Sequence, residues 1–197
     1  MRDLEIRGAG NLLGSEQHGH LDAVGYDLYI KLLNEAVLEE KGVPLKERFE
    51  TKINTVYDAF IPERYIKSST QRMEIYKKIA HIENEDDRND ILSELEDRFG
   101  KIPKEVMTLI SIALIKSYAS LAKFKKVEHL KGEIRLYPET VNLPALVEVS
   151  KFDRQSVQVC GVGKVPYISI KTEQGMPIHK KCVELIKFYI QKFNENI

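Results

Sequence analysis

Cysteine is scarce: only Cys160 and Cys182 occur in 197 residues. Two thiols cannot build a disulfide scaffold, so a packed core must hold the chain, and a reducing cytoplasm is the expected compartment. Long apolar runs are also missing. The longest, Val106 to Ile115, covers about half a membrane span, which argues against a transmembrane helix. Arg2, Asp3, Glu5 and Arg7 crowd the first residues, so no secretory signal is expected there. Net charge is absent too. Thirty basic side chains balance thirty acidic ones, which argues against a wholly basic nucleic-acid coat.

What is present is enough for a folded domain. The hydrophobic fraction is 43%, mixed with polar residues along the whole chain. The zero net charge hides a gradient. Residues 1–50 hold 6 basic and 10 acidic side chains, residues 51–122 hold 11 and 12, and residues 123–197 hold 13 and 8. An anionic partner would therefore favour the last third.

Gly8, Gly10, Gly14, Gly19 and Gly25 fall in the first 25 residues and predict an ordered loop. Asp3 to Ile6 reads as the end of a helix that would begin before Met1. Leu28, Leu32, Leu33 and Ala36 predict a helix over about 24–40. Phe49, Thr51, Ile53 and Thr55 alternate as in a strand. Pro62 precedes a helix expected to run to about His81, with Tyr65, Met73, Tyr76, Ile79 and Ala80 on one stripe. Asn84 is placed to cap a second helix that stops at Gly100, and Pro103 to open a third. Beyond it, strands at 133–137, 157–159 and 167–171 alternate with helices at 142–149 and 176–193. Gly161 and Gly163 supply a turn between the last two strands. Helices come first and a small sheet later, so the expected class is α+β: a Gly-rich loop and long helix, then a helical cluster on a mainly antiparallel sheet.

Few patterns carry chemistry. Gly8, Gly10 and Gly14 miss the dinucleotide fingerprint, because Leu13 holds the position of its third glycine. Gly161-Val162-Gly163-Lys164 ends in Val165 where a phosphate loop needs Ser or Thr. His18 and His20, with Glu16, are too few for a metal site without help. Cys182 is one helical turn from His179 but sits on an apolar stripe, as an inert core thiol would. Lys123, Lys125 and Lys126, around Phe124, read as a solvated helix end. The acidic groups at 83–87 and 94–97 fall on outer helix faces. Composition and spacing alone stop at an interaction domain.

One stretch is more specific. RDLEIRGAGNLLGSEQHGH at 2–20, followed by VGYDLYIKLLNEAV at 24–37, resembles the segment that ends the motor in the bacterial transcription-repair coupling factor family. RecG-type branched-DNA helicases carry a similar pattern, the translocation motif. FIP at 60–62, IYKKIA at 75–80 and LEDRFGKIP at 95–103 resemble the C-terminal domain of the coupling factors, which RecG lacks. The resemblance is strong from 2 to about 122 and weaker beyond. It implies two parts: residues 1–45 as motif loop and linking helix, and residues 46–197 as the C-terminal regulatory domain.

By that resemblance Arg2, Arg7 and Gln17 would couple nucleotide state to movement on duplex DNA, on a loop shaped by Gly8, Gly10, Gly14 and Gly19. A guanidinium that holds an anion by two bonds suits such a hinge. ATP and magnesium belong to the motor whose motifs this sequence lacks, so no catalytic residue, metal or cofactor is expected in this chain. The implied parent role is displacement of stalled RNA polymerase and recruitment of excision repair through UvrA. The implied partner of the regulatory domain is the UvrB-like module of the same protein, which it would cover by an exposed helix face of mixed charge. The alternative is a free-standing DNA-binding protein that uses the basic last third.

Overall fold

The computed structural model describes residues 49–161, 163, 165–172 and 178–195. The Gly-rich loop and the helix expected at 24–40 lie outside them. The described elements, in order, are β1 (Lys52–Thr55), α1 (Ser69–Ala80), α2 (Glu85–Phe99), α3 (Lys104–Leu121), β2 (Phe124–Leu130), β3 (Glu133–Pro138), α4 (Leu143–Val149), β4 (Val157–Cys160), β5 (Tyr167–Lys171) and α5 (Ile178–Glu195). The class is α+β, as expected.

The strands form one sheet in the order β1-β2-β3-β5-β4. Among the described strands only β1 and β2 run parallel; β2–β3, β3–β5 and β4–β5 are antiparallel. Ile134, Leu136, Ile168 and Ile170 alternate onto one face. There they meet Leu109, Ile110 and Leu114 of α3 and Leu185, Ile186 and Tyr189 of α5 in a single core. Side chains of Glu128, Glu133, Arg135, Tyr137, Tyr167 and Ser169 occupy the alternate positions and so the other face.

Local chemistry sets the helix ends. Asn84 accepts hydrogen bonds from the amides of Asp86 and Asp87, and the Asp87 carboxylate accepts from the amides of Glu83 and Asn84. This reciprocal cap starts α2, and Gly100, at φ +76°, ends it. Asn142 likewise caps α4 through the amide of Ala145.

Two expectations need correction. The helix expected from Pro62 begins only at Ser69, with Ser68 as its cap. Residues 62–67 instead form a turn, because the Arg72 guanidinium donates to the carbonyls of Ile66 (2.9 Å) and Lys67 (3.0 Å). Tyr65 therefore lies outside the helix. The basic cluster at 123–126 is not a helix end either. The helix stops at Leu121, Lys123 turns the chain with φ +54°, and Phe124 starts β2. Burial of Phe124 against the Tyr189 ring, 4.8 Å between centroids, drives this. The lysines masked the period-two pattern of Phe124, Val127 and His129, and a bulge between Phe124 and Lys126 broke it further.

Candidate interaction surface

Glu74 and Lys78 are four apart on α1, and Glu94 and Arg98 are four apart on α2. That spacing puts each pair on one helix face. Burial of Ile75 and Ile79 from α1 and of Leu95 from α2 brings the two helices together. Their charged faces then meet. The Lys78 ammonium donates to both Glu94 oxygens at 2.7 and 2.8 Å and lies 3.3 Å from Glu74. The Arg98 guanidinium donates to Glu74 at 3.3 Å and also to Glu94.

The result is a closed square of two cations and two anions at the surface. The hydrogen bond from Lys78, then that from Arg98, holds the Glu94 carboxyl below its ordinary range. The bond from Arg98, then that from Lys78, does the same for Glu74. Bonds to Glu94 first, then to Glu74, push Lys78 and Arg98 up. All four groups are therefore charged near neutral pH.

The square rests on a rigid floor. Arg98 lies over the Phe99 ring, 4.9 Å from its centroid, and Phe99 meets Tyr65 edge-on at 5.9 Å. The Tyr65 hydroxyl donates to the carbonyls of Leu95 (3.1 Å) and Gly100 (3.2 Å), tying the turn before α1 to the end of α2. Glu96 and Asp97 are exposed beside it. Such a surface can exchange its internal ion pairs for pairs with a partner at little net cost, since exposed pairs contribute little by themselves.

The other sequence candidates are placed as follows. The acidic group at 83–87 contributes the α2 cap. His179 and Cys182 do not form a described hydrogen-bonded pair: His179 Nδ1 lies 3.2 Å from Ser111 Oγ, and Cys182 is fully buried. Burial pushes the Cys182 thiol up to about 12, so it stays protonated and inert. Gly161 and Gly163 take φ of +68° and +92° in the β4–β5 turn, not in a phosphate loop. Lys126 pairs with Glu128 at 2.8 Å and lies over the Tyr137 ring at 4.2 Å. Arg2, Arg7, Gln17, Gly8, Gly10, Gly14 and Gly19, with Glu16, His18 and His20, lie outside the described residues.

The i, i+4 spacing of the two charge pairs was available in the sequence, but their meeting across α1 and α2 was not. It depends on which faces the core buries. The Tyr65 hydroxyl bonds had no sequence signal, since they follow from the turn that replaced the expected helix.

The family model for the TRCF domain matches residues 55–145, a segment that contains α1, α2 and the whole charge square. The chain carries a TRCF domain. The transcription-repair-coupling factor of Bacillus subtilis (strain 168) is 43% identical over 150 residues, covering 76% of this chain and 12% of that protein. The one from Staphylococcus aureus (strain USA300) is 48% identical over 121 residues, covering 60% and 10%. The chain thus spans about an eighth or less of these relatives' length. A crystal structure of the C-terminal domain of a transcription-repair coupling factor matches this chain with a TM-score of 0.62. It shares 21% identity and covers 76% of this chain and 99% of that one, which shows a common fold.

Proposed function

We propose that this chain is the C-terminal regulatory and coupling part of an ATP-dependent DNA translocase that displaces stalled RNA polymerase at damage and recruits excision repair. The chain acts as an interaction module, with chemistry and nucleotide binding left to the motor. Its TRCF domain covers the UvrB-like module of the same protein through the α1–α2 face and so masks the surface that UvrA recognises. One observation carries this reading: the charge square of Glu74, Lys78, Glu94 and Arg98 lies exposed within the TRCF segment. A releasable contact inside one protein should be polar and moderate in area, and this face is both charged and bordered by exposed Glu96 and Asp97.

The mechanism is a two-state lock. With the face seated, the covered state prevails; a ligand that prefers the open state shifts the population by its differential affinity. Arg2, Arg7 and Gln17 would transmit motor movement toward this domain.

Duplex binding through the basic last third has less support. Lys126, Arg135, Lys151, Lys181 and Lys192 each sit in an ion pair with a neighbouring carboxylate. The test is competition: this chain, bound to the isolated UvrB-like module of the same organism, should be released by added UvrA. A ternary complex without release would reject the masking role.

A further inference from the structure

A second surface lies away from the charge square and shares no residue with it. A groove of about 650 Å³ runs over the ends of β3 and β5 and along β4 to the loop before it. Its two carboxylates are already engaged. Glu133 accepts from Arg135 Nη2 at 2.9 Å and from Ser169 Oγ at 2.7 Å. Asp153 accepts from Lys181 at 2.6 Å, Ser156 Oγ at 2.5 Å and the Gln155 amide at 3.1 Å.

Its outer cations are not so engaged. Lys171 stands directly opposite Glu133 in the β3–β5 register, yet Glu133 turns to Arg135 and Ser169 instead. Lys131, in the β2–β3 turn, is exposed. Among the described residues neither lysine has a carboxylate partner. The groove therefore presents two uncompensated positive charges above a hydrogen-bonded floor.

Its shape narrows the ligand. The groove runs from the β2–β3 turn across the ends of β3 and β5 to β4, so an extended segment has room to lie in it. Gln158 on β4 is exposed and offers an amide to a main chain. Alternate side chains of an extended segment point the same way, which would bring successive carboxylates to one side. Nucleic acid suits the groove less well, because its backbone has no N–H to donate to the Gln158 side chain.

We propose that this groove binds an extended acidic segment of a partner protein, laid across the strand ends from Gln158 to Lys171 and Lys131 with its carboxylates on the two lysines. The probe is a short fluorescein-labelled poly-glutamate peptide, titrated with the full chain at low salt and read by anisotropy. Saturable binding is expected. Lys131→Glu with Lys171→Glu should weaken it by about tenfold or more, since facing charges become like-signed. Lys52→Glu with Lys101→Glu, an equal charge change at exposed sites outside the groove, should leave it nearly unchanged. Lys131→Gln with Lys171→Gln repeats the test without reversal, and unchanged thermal unfolding shows that each variant is folded. Absence of saturable binding, or equal loss in both Glu pairs, overturns the proposal. So does a matching oligothymidylate that binds more tightly than the peptide and loses affinity in the Lys131 and Lys171 variants.

Discussion

Lys78 on α1 holds both carboxylate oxygens of Glu94 on α2, at 2.7 and 2.8 Å, across 16 residues of chain. The bond closes the square that Glu74 and Arg98 complete. It makes the α1–α2 face a fixed arrangement of charge rather than a set of independent side chains.

That arrangement should contribute little to stability. Both partners are partly exposed, with relative side-chain exposures of 42% and 27%, so solvent screens the pair. Lys78→Met should cost under about 1 kcal/mol, as exposed ion pairs do. The direction with pH follows from Glu94, whose carboxyl lies below its ordinary value in the fold. The stabilisation is present above the ordinary carboxyl range and is lost as pH falls through the lowered value. Urea midpoints of wild type and Glu94→Gln should differ slightly at neutral pH and converge in acid. A loss of several kcal/mol would mean that the face is structural.

Buried His129 and His179 should set a second pH dependence. Burial lowers both His129 and His179, and the Arg88 charge lowers His179 further. Below the ordinary imidazole value the unfolded chain takes up protons that the folded chain resists, so stability falls as pH drops from neutrality toward the lowered values. His129→Asn with His179→Asn should flatten the slope between those values. The check is the urea midpoint across that window; an unchanged slope would assign it to other groups.

Much of this architecture was legible in the sequence. Asn84, Gly100, Pro103, Asn142 and the Gly161–Gly163 turn each mark a boundary that the structure keeps, because caps and turns are fixed by neighbouring residues. The misplaced elements depended on distant partners. The turn at 62–67 is held by Arg72, and β2 exists because Phe124 finds Tyr189, 65 residues further on. The interaction face was half legible: the spacing within each helix was visible, and the pairing between them was not.

The two thiols should behave differently. Cys182 is fully buried and protonated, whereas Cys160 is partly exposed on β4. Ellman's reagent should modify Cys160 in the native chain and reach Cys182 only after unfolding. Fast reaction of Cys182 in the Cys160→Ser variant would show that the α3–α5 core opens locally.

Gly161 should tolerate no side chain. Its φ is +68°, and a Cβ there would lie 2.3 Å from the Val165 carbonyl oxygen. Gly161→Ala should cost roughly 1 kcal/mol or more, because the strained φ and the backbone clash add. Thermal unfolding measures it. An unchanged midpoint would mean that the β4–β5 turn relaxes without loss.

Calorimetric titration of the isolated UvrB-like module into this chain, repeated with Glu94→Arg and Asp97→Arg together, tests the lock reading most directly. Saturable binding by the wild type and its loss in the doubly reversed variant are expected, with thermal unfolding showing that the variant is folded. Equal binding by both would place the contact elsewhere on the domain and contradict the assignment of the α1–α2 face.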